Sequence, residues 1–155
     1  MINAHWPTWL LASIAKATST LATSLSLPLL VEGLDDRTNK IVQHDHIELR
    51  VYGPTLQHLS KNKYKLYIRI NLLFNQVRES TNVGKLSDWC GHAIQVLSQP
   101  ILVYKYGDGG ALAGCLTPLS TKSENIKTVH FGKISKTNPV YQSQVEGPYV
   151  IEITE

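Results

Sequence analysis

Charged residues and long apolar runs are both scarce in this sequence. Asp, Glu, Lys and Arg make up 17% of its 155 residues, below the share of about a quarter that is usual in soluble domains. Fifteen basic and 12 acidic residues give a net charge of +3, without a run of about five like charges. No stretch approaches the roughly 18 consecutive apolar residues of a membrane span. The net charge is too small to indicate nucleic-acid binding by itself. The scarcity of charged residues predicts that a partner covers part of the surface.

Cysteine is scarce as well. Cys90 and Cys115 are the two cysteines, too few for the disulfide framework of a small secreted domain. Both fall in segments with a helix or strand pattern, so burial as a small apolar side chain is the expected role of each. The N-terminal segment lacks the basic region and the long apolar region of a signal peptide. These features predict a soluble protein and are compatible with a reducing compartment.

Two helices are predicted from apolar residues at helical spacing. The first covers about residues 8–27, with Thr8 as its N-cap and Pro28 after its end. The second covers residues 86–97 and is followed by Pro100. Because the second helix is amphipathic, we expect one of its faces to pack on a sheet.

The strongest strand pattern lies at residues 64–77, YKLYIRINLLFNQV. Apolar side chains alternate with mostly polar ones along its whole length. At about 3.3 Å per residue this strand reaches about 40 Å, well beyond the usual five or six residues. A strand of that length overhangs its own small domain or pairs with something outside it.

Further strands are predicted on both sides of this segment. Residues 47–52 alternate cleanly, and Gly53-Pro54 predicts the end of that strand. Short runs from residue 101 to the C-terminus predict an antiparallel meander, with Gly147-Pro148 as a bulge or bend in the last strand.

The order of these elements predicts the fold class. Helix, strands, helix and strands follow one another without regular βαβ alternation, which is typical of α+β proteins. We expect a mostly antiparallel β-sheet flanked by an N-terminal helix and a central helix. Residues 1–155 are predicted to form a single domain, with the sheet-plus-helix core over about 29–155.

A glycine-rich stretch, YKYGDGGALAGCL at residues 104–116, poses the question of a phosphate-binding loop. Such loops lead into a helix N-terminus, and the nucleotide-binding kind continues with Lys and then Ser or Thr. Here neither GK[ST] nor GxGxxG spacing is present, and Pro118 follows soon after. The stretch is therefore predicted as a hairpin loop between two strands, with Asp108-Gly109 as its turn.

Candidate catalytic groups are few. His44 and His46 have strand spacing that would let both face one metal ion, with His58 or Asp45 completing the site. Solvated residues at the start of a strand are the simpler interpretation.

Other catalytic patterns are weaker. The chain has no GxSxG, and its Cys and His residues show no signature spacing. The paired acids Asp35 and Asp36 lie beside Arg37 and Lys40, as in a solvated turn. We therefore expect no enzymatic activity, no cofactor and no bound metal.

Lys65, Tyr67 and Arg69 combine basic and aromatic side chains on one face of the long strand. This combination is found in modules that bind single-stranded nucleic acid. It suits a subunit interface equally well, because Tyr and Arg are enriched in interfaces.

The chain resembles the neck and tail terminator proteins of tailed bacteriophages over most of its length. The resemblance rests on the order of elements and on the strand segments IELRVYGPTLQHLSKNKYKLYIRINLLFNQV, ILVYKYGDG, VHFGKI and QVEGPYVIEIT, together with the helix around DWCGHAIQVL. It implies a small α+β subunit that forms a ring, commonly of six copies, at the head–tail junction of the virion. Such a ring caps the tail tube and joins it to the neck or connector, and it has no catalytic motif.

The resemblance thus implies a structural virion protein that assembles in the host cytoplasm. Its expected partners are copies of itself and the tail-tube and neck proteins, with no membrane and no sequence-specific nucleic acid. Expected contact residues, toward other subunits or the ring lumen, are Tyr67, Arg69, Asn71 and Leu73, and the loops at 57–63 and 107–114 are expected to reach neighbouring rings. The alternatives are another head–tail connector or tail-tube-associated protein, a metal-dependent enzyme, or a single-strand nucleic-acid-binding module.

Overall fold

The protein has an α+β fold in which helices pack on one face of a mostly antiparallel sheet. The computed structural model describes residues 2–32, 44–77, 84–120, 125–133 and 141–155. Within these ranges, the elements in chain order are α1 (Trp6–Ser24), β1 (Leu29–Val31), β2 (His46–Ser60), β3 (Lys63–Gln76), α2 (Gly84–Leu97), β4 (Ile101–Tyr104), β5 (Leu112–Pro118), β6 (Lys127–Lys133) and β7 (Tyr141–Thr154). The predicted fold class is confirmed.

The sheet is organised around the long central strands β3 and β7. Its order is β1-β2-β3-β7-β5-β4, and β6 also pairs with β7. β3 and β7 pair over their whole length, from Lys63↔Thr154 to Gln76↔Tyr141. On its other side β7 pairs first with β6 and then, nearer its C-terminal end, with β5. Every pairing is antiparallel except that of β1 with β2.

α1 begins and ends earlier than the sequence suggested. It starts at Trp6, with His5 as an N-cap residue whose side chain makes no capping hydrogen bond, so the prediction of Thr8 as the cap is wrong. Pro7 is accepted in the first turn because the N–H groups there have no partner within the helix. The earlier start also buries Trp6 and Trp9.

The C-terminus of α1 closes with the two hydrogen bonds of a Schellman motif. Leu27 N–H donates to Ala22 O at 2.9 Å, and Ser26 N–H donates to Thr23 O at 3.1 Å. Ser26 occupies the left-handed position, with φ of 55°. Because serine stands where glycine is usual, Pro28 signalled the end of the helix but not its last residue.

β2 continues through Gly53-Pro54, so the predicted end of the strand there is wrong. Its register with β3 shifts between Tyr52 and Thr55 and then continues to Ser60↔Lys63. A bulge at this point absorbs the proline, which has no N–H for a ladder and is tolerated at bulges and edge strands. Residues 57–60 therefore belong to a strand, and the loop predicted at 57–63 is a tight turn.

Gly147-Pro148 causes no bulge in β7, so of the predicted bulge or bend the bulge is wrong. Gly147 and Pro148 pair in register with β3, opposite Ile70 and Arg69. Pro148 O accepts a hydrogen bond from Leu119 N–H at 2.9 Å, on the side of β7 away from β3. The N–H that proline lacks would point to that same side, between the last pair of β6 and the first of β5, so no ladder bond is lost.

The hydrophobic core lies between the helices and the face of the sheet that carries Leu66, Ile68 and Ile70. α2 contributes Trp89, Cys90, Ala93 and Leu97, whereas Ile94 is 40% exposed. Both helices pack on this face. We call the opposite side of the sheet the second face.

Candidate functional site

The four predicted contact residues, Tyr67, Arg69, Asn71 and Leu73, all lie on the second face of β3. Asn71 and Leu73 are buried, at 4% and 3% exposure, whereas Tyr67 and Arg69 are half-buried. Their role as contacts stays a prediction. Only Tyr67 and Arg69 present side-chain surface on which another molecule can pack.

The basic residues of the second face are matched by acidic residues on neighbouring strands. Arg69 Nη1 lies 3.3 Å from Glu146 Oε1, and Lys65 Nζ lies 3.4 Å from Glu152 Oε1. Both acidic residues belong to β7. Because each positive charge has a negative charge beside it, this part of the face offers little net attraction to a phosphate backbone.

Arg50 on β2 is held by two carboxylates. Its Nε lies 2.9 Å from Glu32 Oε2 and its Nη2 lies 3.0 Å from Glu48 Oε1. Burial acts to lower the pKa of Arg50, but hydrogen bonding and charge attraction from Glu48 and attraction from Glu32 hold that pKa above its ordinary value. The ion pair of Arg50 with Glu32 links β2 to the residue directly after β1.

A surface cavity of about 430 Å³ opens on the second face between β2, β3 and β7. Its lining is mostly aromatic and apolar and consists of Tyr52, Gly53, Thr55, Tyr67, Ile68, Arg69, Leu119, Pro148 and Tyr149. The Tyr67 hydroxyl donates a hydrogen bond to Gln57 Oε1 at 2.8 Å, which orients the ring. The cavity is wide enough to receive an apolar side chain of a partner.

The outer side of β2 forms an exposed strand edge, which we call the open edge and define as residues 52–60. β1 pairs only with residues 47–49 of β2. Beyond them no strand in the part of the chain that the structure describes pairs with this side. Tyr52, Leu56 and Leu59 are 48%, 49% and 46% exposed there.

The open edge lacks the charged side chains that usually protect strand edges, although Pro54 and the bulge at Gly53-Pro54 interrupt its first residues. It carries no Asp, Glu, Lys or Arg over residues 52–60, although charged side chains commonly prevent an edge from pairing with another chain. β4, which also ends the sheet, is protected differently, because the Tyr104 N–H donates a hydrogen bond to Ser13 Oγ of α1 at 3.0 Å. Sequence reasoning missed the open edge, although the uncharged stretch after Gly53-Pro54 was a signal for it.

The histidines of the suggested metal site are not brought together as a cluster. His46 is buried at the start of β2, and its Nδ1 lies 2.7 Å from His44 O. His58 lies at the far end of the same strand and stacks on Tyr64 with 4.7 Å between ring centroids. Asp45 Oδ1 accepts a hydrogen bond from Val77 N–H.

Among the residues described, no three His, Cys, Asp or Glu side chains are close enough to share a metal ion. The predicted solvated turn at Asp35, Asp36, Arg37 and Lys40 lies outside the described ranges.

The glycine-rich stretch is a hairpin loop, as predicted. It connects β4 to β5, with Lys105 N–H donating to Ala111 O at 2.8 Å. Gly107, Gly109 and Gly110 have positive φ values of 81°, 81° and 71°, which suits the turn. Because the loop leads into a strand, it lacks the helix N-terminus that a phosphate loop requires.

Comparison with known proteins gives a likeness of fold and no family. No protein-family model and no curated protein matches the sequence. One solved structure, of a protein whose name states no function, aligns over 94% of both chains with a TM-score of 0.54 and 9% sequence identity. Identity this low shows a shared fold and nothing about activity. Neither helix in the described ranges combines the length and apolarity needed to cross a membrane.

Proposed function

We propose that this protein is a structural subunit of the head–tail junction of a tailed bacteriophage. In this role it forms a ring, as a tail terminator or neck protein, that caps the tail tube and joins it to the connector. The resemblance of its strand segments to such proteins suggests the role. The observation that carries the proposal is the open edge of β2.

An open strand edge is costly to a protein that works alone. Its backbone N–H and C=O groups can pair with any other strand, which leads to aggregation unless the edge is protected or has a partner. Here the edge also exposes Tyr52, Leu56 and Leu59, without a charged residue to keep other strands away. A protein that assembles through this edge would gain both the backbone hydrogen bonds and the apolar burial.

The second face suits contact with other virion proteins better than contact with nucleic acid. Tyr67 and Arg69 border a cavity lined largely by apolar groups, and aromatic residues and arginine are enriched in protein interfaces. The ion pairs of Arg69 and Lys65 neutralise the charge that would otherwise attract DNA. Capping a tube in this way needs no catalytic group, because a bound ring blocks further addition of tube subunits sterically.

The test is to produce virions in which this protein is absent. We expect tails of uncontrolled length, or heads without tails, when particles are imaged by electron microscopy. Wild-type protein supplied in trans should restore normal particles. Normal infectious virions made in the absence of the protein would disprove the proposed function.

A further inference from the structure

We infer that the open edge of β2 pairs with the outer edge of β6 in a second copy of this chain. The inference rests on the proposed ring, and it names the contact that builds it. The resulting assembly is head to tail, because two different edges meet.

β6 presents the second exposed edge. It pairs with β7 from Lys127↔Glu146 to Lys133↔Tyr141. Within the described ranges, no strand pairs with its other side. Val129 and Phe131 are 43% and 49% exposed on this strand, so β6 combines unused backbone groups with exposed apolar side chains in the same way as the open edge.

The two edges lie on opposite sides of the sheet. β6 pairs with residues 141–146 of β7, in the half of the sheet where β1 covers residues 47–49 of β2. The open edge lies in the other half, where β2 pairs with residues 63–67 of β3 and β3 pairs with the last residues of β7. Pairing between the two edges would join the sheets of two subunits with an offset along the strands, and every subunit would keep one edge free for the next copy. A contact of this kind repeats until a ring closes or a filament grows.

The charges of the two edges are compatible with this pairing. Residues 55–60 of β2 and residues 128–132 of β6 contain no Asp, Glu, Lys or Arg. The lysines lie at the ends of both stretches, as Lys61 and Lys63 beside β2 and as Lys127 and Lys133 in β6. Two uncharged strand segments of similar length can thus pair without burying a lysine, which would be costly.

β4 does not compete for the open edge. The Ser13 hydroxyl of α1 already accepts the Tyr104 N–H, and α1 packs against this strand. Pairing of β2 with β2 of a second copy remains as the competing arrangement. It would be two-fold symmetric and would end at a dimer.

Two variants separate these arrangements. Leu56→Glu/Leu59→Glu places charge on the β2 edge, and Val129→Glu/Phe131→Glu places charge on the β6 edge. All four side chains are 43–49% exposed, so the isolated fold should tolerate the changes, which circular dichroism and thermal unfolding would verify. Leu102→Glu, at 50% exposure on β4, is the matched control and should assemble like the wild type.

The readout is the native mass of each protein alone and of the two variants mixed. We expect the wild type to form oligomers and each variant alone to stay a monomer, with at least a tenfold weaker self-association. Mixed together, the two variants should form a dimer of twice the 17.3 kDa chain mass, because one keeps an intact β6 and the other an intact β2. That dimer cannot grow further.

Three results would overturn the inference. Normal self-assembly of the β6 variant would indicate β2–β2 pairing, and a mixture that remains monomeric would exclude the β2–β6 contact. A wild-type chain that stays monomeric at the highest concentration it dissolves to would exclude it as well. Failure of the proposed function is a separate outcome, since virions that form normally without the protein would refute the ring's role while leaving a measured β2–β6 contact in place.

Discussion

The Tyr104 N–H of β4 donates a hydrogen bond to the Ser13 hydroxyl oxygen of α1, with 3.0 Å between the two atoms. A helix side chain thereby takes the place of a neighbouring strand at this end of the sheet. On the other side of the sheet, residues 52–60 of β2 extend beyond β1 and have no such cover among the described residues. This asymmetry is the basis of our proposals about assembly.

Replacing Ser13 by Ala should destabilise the protein. The Tyr104 N–H would lose its acceptor in a partly buried position, and an unsatisfied buried donor costs about 1–3 kcal/mol. Urea unfolding would measure the change. Ser19→Ala, at an exposed position of the same helix, is the control and should be neutral or slightly stabilising. Equal losses in the two variants would show that the hydrogen bond has no special role.

Gly53→Ala should destabilise the bulge of β2 by about 2 kcal/mol or more. Gly53 has φ of 102°, and a Cβ at this position would lie 2.8 Å from Tyr67 O, a backbone atom that strand pairing holds in place. Gly91→Ala is the opposite case, because a Cβ there meets nothing within 4 Å and alanine favours the helix by up to about 1 kcal/mol. Thermal unfolding should therefore shift in opposite directions for the two variants.

Tyr149→Phe should reduce stability near neutral pH by about 1 kcal/mol. The fully buried Tyr149 hydroxyl shares its hydrogen bond between Gln99 O, at 2.9 Å, and Val96 O, at 3.3 Å. Phenylalanine fills the same space but leaves both carbonyl oxygens at the end of α2 without this donor.

The same substitution should change how the free energy of unfolding falls at alkaline pH. Burial raises the pKa of Tyr149 well above its ordinary value of 10.0, so the phenol ionises more readily in the unfolded chain than in the folded one. The contribution of the Tyr149 hydroxyl to the free energy of unfolding is complete below the pKa of the unfolded chain. It is lost as the pH rises through and beyond about 10. Unfolding free energies measured at increasing pH should fall more steeply for the wild type than for Tyr149→Phe. Parallel curves for the two proteins would show that the Tyr149 phenol is not held buried and neutral in the folded protein.

The two cysteines should differ sharply in reactivity. Cys115 is exposed, whereas Cys90 is buried, and burial raises the pKa of the Cys90 thiol despite a hydrogen bond with Ser143. A thiol reagent should modify one cysteine rapidly in the native protein and the second only after urea is added, as intact-mass measurement would show. Rapid double modification of the native chain would contradict the position of α2 on the sheet.

Single-stranded DNA should bind weakly, and Lys65→Ala/Arg69→Ala should alter the binding little. The two side chains are already paired with Glu152 and Glu146, so few counterions would be released on DNA binding. Fluorescence anisotropy of a labelled oligonucleotide over a range of salt concentrations measures both quantities. Tight binding with a steep dependence on salt would instead favour a nucleic-acid-binding module.

Much of the fold was predictable because its signals are local. The alternation from Tyr64 onward identified the core face of β3, and it holds in the structure, where Leu66, Ile68 and Ile70 are buried. Strand ends and bulges predicted from glycine and proline were less reliable. The same residue pair that usually ends a strand became a bulge at Gly53-Pro54 and was accommodated at Gly147-Pro148, because the position of neighbouring strands decided which N–H groups were needed.

The candidate site was predictable only in part for the same reason. Sequence alternation placed Tyr67, Arg69, Asn71 and Leu73 on one face, since side chains on a strand point alternately to opposite sides. It did not reveal that Asn71 and Leu73 are buried or that Arg69 meets Glu146, 77 positions along the chain.

The sequence by itself determined which segments form helices and strands and which side of β3 is apolar, because those properties follow from the order of neighbouring residues. Only the tertiary structure decided which edges of the sheet remain exposed. That outcome depends on which distant segments pack together. It explains why the edge of β2 stays open whereas α1 covers the edge of β4.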